Sequence, residues 1–385
     1  MCLIALGFSS GFQGSSGLAQ GSGARCDNAS LVAEPASVIP ACMAALAEAG
    51  NEAKTRAGLL YILGRGYHRT ARLAEAIESY DSALALDATS ADMFVSRAWA
   101  AMEMHDVEGV HHFAQMAIRA EPSSARAWDF LGTVRLEMGD TIAALEAYEH
   151  ALRIDPKFGL ALLHRADVMK RLGKPERAVE DYEKILAMPP GEVETGNLIG
   201  KNGKVASFRA AALEGRATAR WSSAPREVVE ADLRAAIAME PTPFRHRLLA
   251  QHFRRQPDRI EDAVRAMRAS YEMAPYLVEL QLLFGEYLLV AGKEEEGLAE
   301  IRSIISKTPG YMKAHSAMVI YFRMKNRLDE AIDALEVGYN ANPDAYRWLI
   351  DRLISDGYWG DESRPTRTTP ELKAAFRKCL SAKCA

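Results

Sequence analysis

Several stretches of the chain carry residue types that do chemistry in other proteins, and each is judged by what that chemistry requires. Gly7 to Gly11, GFSSG, has the G-x-S-x-G form of a nucleophile elbow. An elbow needs a strand before the serine and a helix after it, whereas this one lies in a leader that begins apolar and turns Gly/Ser-rich. The match is formal. Gly196 to Lys204, GNLIGKNGK, has glycines and lysines but neither the G-x₄-G-K spacing nor a following Ser or Thr, so it reads as a solvated loop. His105, His111 and His112 cluster without an i, i+4 pair or a completing carboxylate, and no metal is expected there. Glu294-Glu295-Glu296 reads as a solvated turn between two helices. Arg245 to Arg268 sets seven arginines against Asp258, Glu261 and Asp262; an acidic partner fits it, but a solvated helix face is the simpler reading. No catalytic set and no cofactor site emerges, and a non-catalytic protein is expected.

The global balance narrows the partners. The chain of 385 residues holds 47 Lys and Arg against 51 Asp and Glu, a net charge of −4, which leaves no electrostatic footprint for nucleic acid. No run of about 20 apolar residues follows the leader, so no membrane-spanning helix is expected. Alanine, leucine, glutamate and arginine are abundant, all good helix formers, and no alternating β-branched run points to a sheet.

What must position any functional residue is a repeat. Pro122, Pro156 and Pro190 lie 34 residues apart, and Pro241, Pro275, Pro309 and Pro343 resume the same step. Units therefore begin at 57, 91, 125, 159, 210, 244, 278 and 312, the first with Ala88 in the proline's place. Within a unit, small residues such as Gly132 and Ala144 let two antiparallel helices approach, and Leu131 and Tyr148 fill the space beside them. Proline then stops the second helix. A hairpin of this kind cannot bury its own apolar face, so stability comes from stacking.

Trp128, Leu131, Gly132, Ala144, Tyr148, Ala151 and Pro156 at this period resemble the tetratricopeptide repeat family. Leu63, Gly64, Ala76, Tyr80 and Ala83 repeat the pattern in the first unit, Ala178, Tyr182 and Pro190 in the fourth, and Phe284, Gly285, Ala331 and Pro343 in the last two. The resemblance spans roughly residues 57–345, with degenerate second, fifth and sixth units. It implies an all-α fold, an α-solenoid of about eight helix-turn-helix units in a right-handed superhelix, whose first helices line a concave binding face. The second, fifth, ninth, twelfth and thirteenth places of each unit then point inward. Those places hold Tyr61, Arg65, Arg69, Trp99, Asp129, Thr133, Asp167, Lys170, Arg171, Glu214, Trp221, Arg245, His252, Arg255, Glu286 and Arg323. Trp99 and Trp221 are candidate aromatic anchors, although core packing is at least as good a reading for each. Relatives that clamp a peptide's terminal carboxylate place a basic residue fifth and an asparagine ninth; no unit here does so.

The layout expected is a leader at 1–20, a capping segment at 21–56, four units at 57–192, a Gly-rich insertion at 193–209, four units at 210–345, and capping helices with a tail at 346–385. The leader reaches Leu18-Ala19-Gln20, a plausible end for a secretory signal, but lacks a preceding Lys or Arg. Without Cys2, the remaining cysteines are Cys26 and Cys42 before the repeats and Cys379 and Cys384 after them. Bridges at both ends would restrain terminal units that have only one neighbour, by on the order of 3 kcal/mol for the first. The arrangement resembles bacterial periplasmic repeat proteins with a disulfide ahead of the first repeat. Free thiols in a cytosolic protein are the alternative.

The function expected is a periplasmic or secreted scaffold that binds a protein or peptide. Contact with an envelope glycan through Tyr61, Trp99 and Trp221, or a role as a cytosolic adaptor, are the other readings. Oligomeric state and partner identity are not readable from these residues.

Overall fold

The computed structural model describes residues 4–6, 25–189, 198–200, 205–206, 208–360 and 364–382. Most of the expected leader, Cys384 and most of the Gly-rich insertion lie outside the described residues. The chain forms two compact units, Met1–Glu240 and Pro241–Ala385.

In the first unit, α1 (Asn28–Ala33) and α2 (Pro35–Glu48) precede five hairpins: α3 (Ala53–Arg69) with α4 (Leu73–Leu86), α5 (Ala91–Glu103) with α6 (Val107–Ala120), α7 (Ala125–Glu137) with α8 (Thr141–Ile154), α9 (Gly159–Arg171) with α10 (Pro175–Ala187), and α11 (Phe208–Ala219) with α12 (Arg226–Met239). The second unit holds three more: α13 (Pro243–Arg254) with α14 (Ile260–Met273), α15 (Val278–Val290) with α16 (Glu294–Lys307), and α17 (Met312–Met324) with α18 (Leu328–Ala341). There α19 (Arg347–Ser355) and α20 (Pro370–Ser381) close the chain. Three short strands, Ile4–Leu6, Leu198–Gly200 and Val205–Ala206, pair antiparallel in that order, so Leu198–Gly200 is strand where a solvated loop was expected.

Each hairpin rests on the same contacts. The twentieth place of a unit is small or β-branched and buried, as at Ala76, Val110, Ala144, Ala178, Val229, Ala263 and Ala331. In the first and third hairpins the eighth place of the first helix is a glycine presented to a ring of the second. A Cβ on Gly132 would stand 2.5 Å from the Tyr148 ring, and one on Gly64 would stand 2.7 Å from Tyr80, so neither position has room for one. A Cβ on Gly215 in α11 would likewise run into the Tyr182 ring of α10. The fifth hairpin is therefore packed on the fourth and belongs to the first unit. The sequence reading drew the division at 193–209; the structure draws it at Glu240 and Pro241.

The turn inside the hairpin has its own period. Ala71, His105, Gly139, Gly173, Gly292 and Asn326 all have φ between 58° and 83°. The same place in six units thus takes the left-handed conformation, which a glycine adopts without strain and an alanine does not. Asp106 and Asp140 follow two of these residues and cap the second helix, accepting from the backbone N–H of Gly109 at 2.9 Å and of Ala143 at 3.0 Å.

Hairpins four and five carry an identical ion clasp. Arg165 donates to both carboxylate oxygens of Asp181 at 2.7 Å, and Arg216 to those of Asp232 at 2.9 and 2.6 Å, each carboxylate being buried. Glu294 to Glu296 are not a turn: they form the first turn of α16, where the helix dipole favours acidic side chains. Glu294 accepts from Tyr321 Oη at 2.8 Å and from Arg327, and these hydrogen bonds hold its carboxyl below the usual range.

The ends are covered. Cys26 and Cys42 form a disulfide across α1, and Leu31, Val38, Ile39, Cys42 and Leu63 make a small core between α1, α2 and α3. At the other end Leu372 and Phe376 of α20 are buried, the Phe376 ring against Tyr339, while Lys373 bonds Asp333 at 3.0 Å and Glu336 at 2.6 Å. Cys379 is disulfide-bonded, and with Cys26 and Cys42 joined to each other its partner lies outside the described residues. Among the described residues no helix is long and apolar enough to cross a membrane.

Candidate functional site

Besides packing on the second helices, the first helices of successive hairpins touch one another: α3 with α5, α5 with α7, α7 with α9, α9 with α11. That makes them the inner layer of the first unit, and the inner face is where the candidate residues fall.

Along this face several side chains bond a residue about one repeat away. Tyr61 Oη lies 3.2 Å from Ser96 Oγ, Arg126 donates to Asp92 at 2.8 Å, and Asp129 meets His164 Nδ1 at 2.8 Å. Lys170 Nζ donates to Thr218 Oγ1 at 3.0 Å. Asp167 accepts from Tyr182 Oη at 2.6 Å and pairs with Lys170 at 3.4 Å. Asp129 is only 1% exposed. Burial disfavours the His164 imidazolium, but the charge and hydrogen bond of Asp129 outweigh it and raise the His164 pKa. A face read from the sequence as ligand-facing is thus partly used to tie neighbouring hairpins together. The partners Ser96, His164 and Thr218 were not identified from sequence, although each pair joins neighbouring first helices.

At the N-terminal end of the face two arginines turn to the cap. Arg65 Nη1 donates to Asn28 Oδ1 at 2.5 Å, and Arg69 Nη1 to the Leu31 carbonyl at 2.6 Å. Arg65 is 3% exposed. Burial lowers the pKa of both guanidiniums, that of Arg69 to about 10 with the Arg65 charge adding to the effect.

Of the three rings expected to meet a ligand, Trp99 is buried at 7% exposure, edge-on to Phe130 at 5.1 Å, and presents no free face. It is core. Tyr61 is half-buried and Trp221, in the turn after α11, is half-buried. Arg171 at the end of α9 is exposed.

In the second unit Arg245 and His252 are each 5% exposed, and His252 Nε2 lies 3.0 Å from Gln256 Nε2; Arg255 is exposed. The arginine-rich stretch is mostly laid on rings. Arg254 sits over Tyr287 at 5.0 Å, Arg259 over Phe253 at 4.5 Å and Arg268 over Phe284 at 5.3 Å, with Arg259 and Arg265 also paired to Asp262. It is neither an open basic patch nor a merely solvated face. The inner places of α15 and α17 instead expose Val290, Ile320 and Met324.

One further hollow was not foreseen. An open cleft of about 390 Å³ lies on the third hairpin, with Trp128, Leu131 and Ala147 on its floor and Arg135, Glu146 and Arg153 at its rim. The Trp128 ring stacks on His150 at 3.8 Å and its Nε1–H donates to the Pro122 carbonyl at 2.9 Å, so the indole is already engaged. His105 occupies a left-handed turn, His111 bonds Gln115 at 2.8 Å, and among the described residues no group of His, Cys, Asp and Glu could hold a metal ion.

Residues 33–192 match the tetratricopeptide repeat family. The chain carries tetratricopeptide repeats. Tetratricopeptide repeat protein 33 of Homo sapiens is 33% identical over 85 residues, 22% of this chain and 32% of that protein. Protein FlbA of Caulobacter vibrioides is 34% identical over 73 residues, 19% of this chain and 12% of FlbA. The chain thus spans about a third or less of the length of these curated relatives. Among solved structures, the APC/C hetero-tetramer Cut9-Hcn1 is 12% identical with a TM-score of 0.49, covering 78% of this chain and 56% of that one. PilW, titled a widely conserved type IV pilus biogenesis factor, is 16% identical with a TM-score of 0.49 over 57% of this chain and 94% of its own. Tetratricopeptide repeats are generally non-catalytic, and the repeat fold suggests a protein-interaction scaffold.

Proposed function

We propose that this tetratricopeptide repeat protein is a non-catalytic scaffold that holds a protein or peptide on the inner face of its first helices, in the cell envelope. The observation that carries the reading is the inner face of the first unit, where Arg171, Lys170, Thr133 and Tyr61 keep exposed or half-exposed surface on the first helices of three hairpins. Such side chains offer an extended chain polar contacts along several stacked hairpins. The envelope assignment rests on the Cys26–Cys42 disulfide and the bonded Cys379, since disulfides persist in oxidising compartments. A glycan-stacking role would need rings with free faces, and Trp99 has none.

The test is affinity purification from the native envelope with wild-type protein, Arg171→Glu on the inner layer and Arg153→Glu on α8. Capture lost in the first variant and kept in the second supports the reading; equal capture by all three overturns the inner face as the binding surface. Trapping thiols in living cells checks the compartment. Cys26 and Cys42 should resist alkylation until reduced.

A further inference from the structure

The cleft on the third hairpin lies where neighbouring hairpins are filled. In hairpins four and five the seventh place of the unit is arginine and the twenty-third aspartate, and the clasps Arg165–Asp181 and Arg216–Asp232 close the flank between the two helices. Hairpin two has Arg97 at the seventh place, laid over the Phe113 ring at the twenty-third at 4.5 Å. Hairpin three has Leu131 and Ala147 at these two places. A long arginine and its partner are thus replaced by two shorter apolar side chains, and the cleft of about 390 Å³ stands where they would be. Sites for small molecules span roughly 300–1,000 Å³, so one compact ligand has room.

None of the lining residues stands at an inner place of the unit, which separates the cleft from the face of the first helices. Its floor is apolar, with the Trp128 ring held by its stack on His150 and its bond to the Pro122 carbonyl. Its polar groups lack partners. Arg135 is half-buried, yet neither it nor Glu146 has an ion pair or a side-chain hydrogen bond among the described residues, and His150 Nδ1 in the same wall is buried with no hydrogen-bond partner among them. A partly desolvated guanidinium without a carboxylate is incompletely compensated. Arg153 ends α8 as Arg135 ends α7, so in this antiparallel hairpin the two stand at opposite ends of the cleft, and Arg153 is exposed to water. Glu149 acts on the neighbouring clasp, where its charge adds to the Asp181 hydrogen bond in raising the Arg165 pKa. A ligand carrying only a carboxylate would meet Glu146 and Glu149 as like charges, whereas one that also carries an ammonium would not.

We propose that this cleft binds a free apolar amino acid, with its side chain on Leu131 and Ala147, its carboxylate on Arg135 and its ammonium on Glu146. The site stands apart from the scaffold reading above and does not depend on it. It gives the chain a small-molecule ligand besides the polypeptide.

Titration calorimetry on the full chain tests the site with L-leucine and L-phenylalanine, each beside two analogues that lack one charge: isocaproate and isoamylamine for the first, phenylpropionate and phenylethylamine for the second. At least one amino acid should bind, and its two analogues should bind about tenfold more weakly or less, the loss expected for one hydrogen-bonded charge. Arg135→Gln should weaken binding by about the same factor. Leu131→Arg/Ala147→Asp rebuilds the clasp of hairpins four and five and should abolish binding in a protein that still folds. Should that double variant not fold, Arg135→Gln at the end of α7 decides alone. Arg171→Glu should leave amino-acid binding unchanged; binding lost there would move the ligand to the inner face and overturn the site. No heat from either amino acid up to its solubility, an ammonium-free analogue that binds as tightly, or full binding by the rebuilt clasp also overturns it. Each of these failures leaves the scaffold reading intact, since that reading is decided by polypeptide capture.

Discussion

The inner faces of the two units use the same repeat places for different ends. In the first unit polar side chains bond across neighbouring hairpins, Asp92 to Arg126, Asp129 to His164 and Lys170 to Thr218. In the second, the inner places Val290, Ile320 and Met324 stand exposed and apolar, while the arginines over Tyr287, Phe253 and Phe284 stand outside those places. One backbone slot can serve stacking in one place and remain available for contact in another. The family spacing shows where a side chain points, and its partners determine whether it is free.

The largest effect should come from the contact both units share in kind, small residue against large. Gly132→Leu places a side chain where the Tyr148 ring already stands, and should destabilise the first unit by about 3 kcal/mol. Glu137→Ala on the exposed end of the same helix should change little. Equal thermal midpoints would mean that the ring moves aside at small cost.

The Asp129–His164 pair distinguishes the first unit electrostatically. Because its folded pKa is raised above 6.5, the pair's contribution is complete below pH 6.5 and is lost as pH rises through the folded value. Wild-type stability should fall across that interval by on the order of 1–2 kcal/mol, as expected for a hydrogen bond to a charged group. Asp129→Asn should flatten the profile, and an unchanged slope would remove His164 as its source.

In the second unit Arg254→Ala should cost about 0.5–1 kcal/mol through the lost contact with the Tyr287 ring, and the loss should persist at high salt more than an exposed ion pair would. The smallest effect is a gain. Ala71, at φ 61°, pays the steric cost of a left-handed turn that Gly139 and Gly173 avoid, so Ala71→Gly should stabilise by up to about 1 kcal/mol. A loss on that substitution would show that Ala71 makes a compensating contact.

The eight hairpins were legible because their causes are local and periodic. The prolines recur at 34 residues within each series, the small buried residue of the second helix returns at the same place, and the helices begin within a few residues of the expected starts. The left-handed turn was only half visible, since glycine marks it in three hairpins while Ala71, His105 and Asn326 carry no such signal. The site was less legible for a physical reason. Placing Trp99, Asp129 or Arg65 on an inward face says nothing of what covers it, and Phe130, His164 and Asn28 are brought there only by stacking and by the cap. Glu294 to Glu296 were misread for a similar reason: a charged triplet suits both a turn and a helix start, and the dipole of α16 decides it.

The central claim is that a polypeptide lies on the inner layer of first helices. A photo-crosslinking residue at Arg171 tests it most directly, compared in the native host with the same residue at Arg153 on α8. The account predicts a discrete crosslinked polypeptide from position 171 and none from 153; capture from 153 alone, with 171 silent, would contradict it.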